Sequence, residues 1–290
     1  MTPTVDVHLD WVRYTCPYYA ELSQPENLER ARPPGNAFAL TDEVIDIGQG
    51  YNHGRRLGHG AIFWHDARPE QGISVQLTGS DLEDIRGDDL TEVALLEFIR
   101  AARGKMSTLH SCINIHDAGA HVGDLIDQHI KGTLTTRAKK AGVYSSRSKI
   151  GDEWIQGDTL YIGSAKSSVQ VRVYDKGAER GTLADWTRIE IVWRGRHAQS
   201  AHLRMLSAGI APTTRGAILR QMRSTAEWFQ IAMNAPTVEP LPVPHRLGNR
   251  YEWLRRAVVP ALRREIAEER AMNRDDIYRV FRALIEDLKP

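Results

Sequence analysis

Two neighbouring stretches of the chain set a phenol, a carboxylate and several cations at a spacing that suits phosphoryl chemistry. In VQVRVYDK, period-two alternation puts Gln170, Arg172, Tyr174 and Lys176 on one face and Val169, Val171 and Val173 on the other. In TRIEIVWR, Arg188, Glu190, Val192 and Arg194 alternate with Ile189, Ile191 and Trp193. The connection between them is short, so an antiparallel hairpin with one shared polar surface is expected. A phenol is a nucleophile that needs activation, which a nearby lysine or a metal ion supplies. Glu190 can hold a hard divalent cation through its oxygens, and arginines can neutralise and orient a phosphate. The same pattern also describes ordinary cross-strand pairs on a solvent-facing sheet, and the residues alone leave both readings open.

The elements around these strands alternate between strand and helix signals without a repeat, which predicts an α+β fold. Val5, Val7, Leu9 and Trp11 alternate with Asp6, His8 and Asp10, as in a half-buried first strand. Residues 21–58 read as a long loop, AIFWH and ISVQLTG as two strands, residues 90–103 as a helix, and LHSCINIH as a further strand. A second unit opens with a helix over 123–130 and a basic loop, TTRAKKAGVYSSRSK, followed by the strands DTLYIG, VQVRVYDK and WTRIEIVWR. Helical spacing returns over 197–208 and 213–233. The expected organisation is two similar antiparallel sheet and helix units, about 1–120 and 121–234. A Pro-rich linker over 235–250 and a small helical part over 251–290 follow.

Charge is divided unevenly along the 290 residues. The first 130 hold 10 Lys+Arg against 20 Asp+Glu, whereas residues 131–224 hold 17 against 7. The second segment is where a polyanion would bind, with Arg137, Lys139, Lys140, Lys166, Arg172, Arg188 and Arg194 as candidate phosphate contacts. No apolar run is long enough for a membrane span, the first residues do not resemble a signal peptide, and Cys16 and Cys112 form no CxxC pair. A cytoplasmic protein is expected.

The stretch GDTLYIGSAKSSVQVRVYDKGAERGTLADWTRIEIVWRGRHAQ resembles the central signature of the trans-acting replication initiation factors, the rolling-circle initiators and related relaxases of plasmids and integrative elements. Its pattern is a strand ending in YIGS, a serine-containing turn, a strand ending in R-x-Y-D-K, then R-x-E and an arginine-rich exit. DVHLDWVRYT and VQLTGSDLEDI resemble the family's first strand and a later turn more weakly. The resemblance implies site-specific nicking of one DNA strand, with covalent attachment through tyrosine and assistance from Mg²⁺ or Mn²⁺. Tyr174 would be the nucleophile with Lys176 beside it, and Tyr161 is the competing tyrosine. Glu190 would serve the metal or phosphate site, while Arg172 and Arg188 would contact phosphate. Origin or transfer-origin DNA is the implied partner, with a host helicase and a homodimer as further possibilities.

One departure stands out. Where the family carries a strand resembling R-x-D-x-A-x-D-D, this chain has HSCINIHD, residues 110–117. Alternation puts His110, Cys112, Asn114 and His116 on one face, so Cys112 and His116 stand where acidic residues are expected. His116 can ligate a metal through its neutral imidazole, and Asp117 just past the strand can complete a site with Glu190. A structural role for His116 fits equally. A chain that has lost cleavage and keeps only DNA binding or regulation is the alternative reading.

Overall fold

The computed structural model describes residues 4–46, 50–86, 91–116, 119, 121–150, 153–182 and 184–239, with backbone alone for 146–150 and 153–156. The strands are β1 (Thr4–Cys16), β2 (Leu40–Val44), β3 (His53–Leu57), β4 (Gly60–Trp64), β5 (Ile73–Leu77), β6 (Lys105–His116), β7 (Thr135–Thr136), β8 (Ala141–Ile150), β9 (Glu153–Ile162), β10 (Val169–Asp175), β11 (Trp186–Arg194) and β12 (Met222–Arg223). The helices are α1 (Gln24–Ala31), α2 (Gly79–Ile85), α3 (Glu92–Ala101), α4 (Val122–Ile130), α5 (Lys176–Glu179), α6 (Arg196–Ala208), α7 (Ile210–Gln221) and α8 (Glu227–Met233). All described residues fall in one compact unit, residues 1–242. Most of the expected linker and all of 251–290 lie outside the described residues.

The expected α+β composition appears, and strands from both expected spans, about 1–120 and 121–234, join one continuous sheet. Ten strands run in the order β2-β3-β4-β5-β1-β6-β11-β10-β9-β8, every neighbouring pair antiparallel, and β7 and β12 form a small separate ladder. The join is β6 against β11, paired from His116 opposite Trp186 to Thr108 opposite Arg194. Leu109, Ile113, Val171, Val173, Ile189 and Ile191 are fully buried on one face. The helices α6 and α7 pack against β6 and β11. Two polar bonds tie this layer down: Ser111 Oγ lies 2.7 Å from Thr214 Oγ1, and His202 Nε2 lies 2.9 Å from the Leu96 carbonyl, linking α6 to α3.

Three local expectations are corrected. Residues 21–58 contain α1, β2 and β3. Ser23 and Glu26 form a reciprocal capping box and Pro25 sits in the first turn, a strong helix start. The basic segment is largely β8, which pairs with β9 along its whole length. The helical spacing of 213–233 belongs to α7 and α8 with β12 between them. Gly209, at φ 90°, separates α6 from α7 in a backbone conformation suited to glycine. No helix among the described residues is long and apolar enough to cross a membrane.

Candidate active site

The sheet register aligns the polar residues in rows. One row runs His8, Cys112, Glu190, Arg172 and Tyr161 across β1, β6, β11, β10 and β9, and the next runs Asp6, Asn114, Arg188, Tyr174 and Thr159. Residues on one face of adjacent strands are close enough for direct contact.

A β-bulge completes the cluster. In β1, Leu9 pairs with Ser111 and Trp11 with His110, leaving Asp10 as an extra residue. The bulge reverses the strand's facing, so the buried positions change from Leu9 to Val12, Tyr14 and Cys16. Trp11, expected beside Val5, Val7 and Leu9, therefore lies on the polar face, stacked on His110 with ring centres 6.1 Å apart. The bulge is gripped from outside the sheet. Leu9 N–H donates to both Glu92 carboxylate oxygens at 3.1 Å, and Arg86 Nη2 donates to the Leu9 carbonyl at 3.0 Å. Glu92 and Arg86 also pair with each other at 3.3 Å.

Glu190 is the hub and is fully buried. His110 Nδ1 lies 2.7 Å from its Oε1, Arg172 Nη2 pairs with the same oxygen, and the Tyr174 hydroxyl donates to Oε2 at 3.3 Å. Burial by itself would raise this carboxyl, but the hydrogen bond from His110 and the charge of Arg172 outweigh it and hold the group at about 2. The Tyr174 hydroxyl is pushed the other way, above its ordinary value, by burial and then by the Glu190 charge. The Tyr174 phenol is therefore neutral near pH 7 and needs added positive charge to ionise. Lys176 Nζ lies 5.8 Å from the centre of the Tyr174 ring and pairs with Glu179.

Arg188 is buried as deeply as any core residue. Its Nε donates to Asn114 Oδ1 at 2.7 Å and its Nη1 to Asp10 Oδ1 at 2.5 Å, while Asn114 Nδ2 donates to Asp6 Oδ1 at 2.9 Å. The expectation that Arg188 reaches DNA is thereby corrected: its guanidinium is committed inside the protein, where it holds Asp10. Arg172 is more open. Its side chain is 31% exposed, although its Nε is buried without a hydrogen-bond partner.

One ligand atom from each of Asp10, His110 and Glu190 lies within 4.8 Å of the other two. Two carboxylates and an imidazole fit a divalent cation that favours oxygen and tolerates nitrogen, Mn²⁺ in particular. Of the expected ligands, Glu190 is in this cluster and His116 is not. His116 pairs with Trp186, four residues along β11 from Glu190, a displacement of about 13 Å at roughly 3.3 Å per residue. It stacks on Trp186 with centres 5.1 Å apart, and its Nε2 lies 3.3 Å from Asp6 Oδ2. Asp117 lies outside the described residues. Asp10 and His110 were missed, although alternation places each on the polar side of its strand.

The remaining cations gather elsewhere. Arg194 Nη1 donates to the Ser167 carbonyl at 2.9 Å, next to exposed Lys166, and Gly163 N–H donates to the Lys140 carbonyl at 2.8 Å. Lys166, Lys140 and Arg194 thus sit at one end of the β8, β9, β10 and β11 ladder, with exposed Lys139 adjacent. Arg137, also exposed, lines a groove of about 630 Å³ with Arg220 and Arg223.

Comparison with known proteins agrees with this architecture. No curated protein matches the chain. The solved structure titled "Structure of Rolling Circle Replication Initiator Protein from Geobacillus stearothermophilus" superposes with a TM-score of 0.62 at 19% identity, covering 81% of this chain and 93% of that one. At that identity the likeness speaks for a shared fold. Residues 111–277 match the family described as "Replication initiation factor", a span that includes the second half of β6 and all of β10 and β11. With more than half of its length matched, the chain belongs to the replication initiation factor family.

Proposed function

We propose that this protein starts rolling-circle replication or mobilisation by nicking one DNA strand at an origin, with Tyr174 as the nucleophile. The observation that carries the reading is the Tyr174 hydroxyl on Glu190, 3.3 Å from Oε2, beside the Asp10, His110 and Glu190 cluster. In the reaction the Tyr174 oxygen forms a bond to phosphorus, the bond to the 3′ oxygen breaks, and that oxygen takes a proton from water to leave as the 3′-hydroxyl primer. The phenol proton passes to water, because a carboxylate held at about 2 is a poor acceptor. Glu190 instead orients the phenol. Arg172, whose side chain is partly exposed, neutralises the phosphate, and Arg188 keeps Asp10 in place. A divalent cation held by Asp10, His110 and Glu190 would supply the positive charge that favours phenolate and offsets charge on the phosphate.

Tyr161 occupies the same row as Glu190 but two strands away, beyond Arg172, which favours Tyr174. Lys139, Lys140, Lys166 and Arg194 form the track for flanking DNA, and strand separation beyond the nick calls for a helicase partner.

The test is covalent attachment to a labelled origin oligonucleotide with Mn²⁺. Tyr174→Phe is expected to abolish the adduct while leaving DNA affinity within a few-fold. An adduct that survives in Tyr174→Phe and is lost in Tyr161→Phe would reassign the nucleophile. No adduct with any divalent cation would leave a DNA-binding protein without cleavage.

A further inference from the structure

The face that carries the candidate active site holds a second set of ligands, two of which, His8 and Cys112, the nicking reading does not use. One ligand atom from each of His8, Asp10 and Cys112 lies within 4.8 Å of the other two. His8 and Cys112 are direct cross-strand partners on β1 and β6, and Asp10, two residues beyond His8 along β1, lies on the same face. Ligand atoms on one tetrahedral Zn²⁺ stand roughly 3.6 Å apart, given Zn–S near 2.3 Å and Zn–N near 2.1 Å. Small side-chain adjustments therefore suffice.

The surroundings of His8 favour ligation. Its Nδ1 lies 2.8 Å from Asp6 Oδ1, so Nδ1 carries the proton and Nε2 keeps its lone pair. The Nε2 atom has only a long contact, 3.4 Å from Asn114 Nδ2. A carboxylate that fixes the far nitrogen of a histidine is the usual support for a metal-binding imidazole. Cys112 is fully buried and has no disulfide partner. A thiolate with an imidazole and one carboxylate selects thiophilic ions, whereas Asp10, His110 and Glu190 offer mostly oxygen.

We propose that His8, Asp10 and Cys112 form a site for a thiophilic divalent cation of the Zn²⁺ class, which takes Asp10 away from the His110 and Glu190 set and so opposes nicking. On binding, the sulfur–metal bond replaces the S–H bond and the proton leaves to solvent. Asp6 is the positioning residue for His8. The ligand set stands on geometry alone, and only the inhibitory consequence rests on the nicking reading.

The experiment uses the full chain and Co²⁺, which reports thiolate ligation by charge-transfer absorption in the near ultraviolet. Wild type is expected to show this band at one equivalent of Co²⁺, Cys112→Ser to lose it, and Glu190→Gln to keep it. Because Cys112→Ser places a hydroxyl in the core, Asp6→Asn is the second variant. It is expected to keep the band with affinity weakened roughly 10- to 100-fold. No band in wild type, or a band that survives Cys112→Ser, overturns the site. In Mn²⁺-supported nicking, Zn²⁺ is expected to inhibit wild type, with at least a tenfold higher concentration needed for Cys112→Ser. Equal sensitivity, or nicking supported by Zn²⁺ alone, overturns the coupling. A chain that never nicks but shows the band defeats the nicking reading and leaves the site standing.

Discussion

Replacing Glu190 by glutamine keeps its shape and removes its charge, which makes it a direct probe of the hub. The carboxyl is held at about 2 against an ordinary 4.5. At roughly 1.4 kcal/mol per unit, the folded protein favours the charged form by about 3 kcal/mol. That agrees in size with breaking a buried ion pair from one side, since Arg172 and His110 lose their common partner. The folded value is depressed, so this stabilisation is complete above about pH 4.5 and disappears as pH falls toward 2. Guanidinium unfolding followed by tryptophan fluorescence should therefore place Glu190→Gln about 3 kcal/mol below wild type at pH 7. The gap should hold down to about pH 4.5 and close below it. Comparing the two proteins at each pH cancels the titrating groups that do not interact with Glu190. A gap that is absent at pH 7, or that persists unchanged to pH 2, would refute the assignment of Glu190 as a charged, buried hub.

Four other variants test the remaining parts of the site. Glu92→Ala frees the Leu9 N–H and should raise the Mn²⁺ needed for half-maximal nicking roughly 10- to 100-fold, with DNA affinity unaltered; an unchanged Mn²⁺ requirement would show that the bulge holds itself. His110→Ala should suppress nicking in a way that excess Mn²⁺ partly restores, while His116→Ala should nick like wild type, and the opposite pattern in a single-turnover assay would return the metal to His116. Neutralising Arg137, Lys139 and Lys140 together should flatten the salt dependence of DNA binding, measured by anisotropy, by roughly 0.7 to 0.9 units of logarithmic slope for each phosphate the protein no longer neutralises. An unaltered slope would place the DNA elsewhere.

The strands that carry Tyr174 and Glu190 were legible because strict alternation of valine and isoleucine with charged residues specifies both the strands and their facing. The hairpin of β10 and β11 followed from the short connection. The pairing of β6 with β11 was not legible, because it joins segments distant in sequence and leaves no local signal. That pairing decides between His110 and His116: alternation places both on one face, and only the register shows which is beside Glu190. The bulge hid in a run that alternates smoothly from Val5 to Trp11. Its sole trace is the later phase of Val12, Tyr14 and Cys16, apolar at positions that a regular strand would have turned to the polar side. The arginines looked alike in sequence, and burial separated the committed Arg188 from the available Arg172.

The pairing of β6 with β11 also sets when the site can exist. Asp10 and Arg188 are 178 residues apart in the chain, yet their side chains touch. Closing a loop of that length costs about 5 kcal/mol of chain entropy, returned only when the strands between have joined the sheet. During synthesis, Asp10 and His110 emerge long before Glu190, and a nascent or truncated chain that stops short of β11 has two of the three cluster ligands and lacks the carboxylate that orients Tyr174. On the proposed nicking function, unfinished chains bearing only the first six strands, which carry neither Tyr174 nor Glu190, would be inert toward DNA.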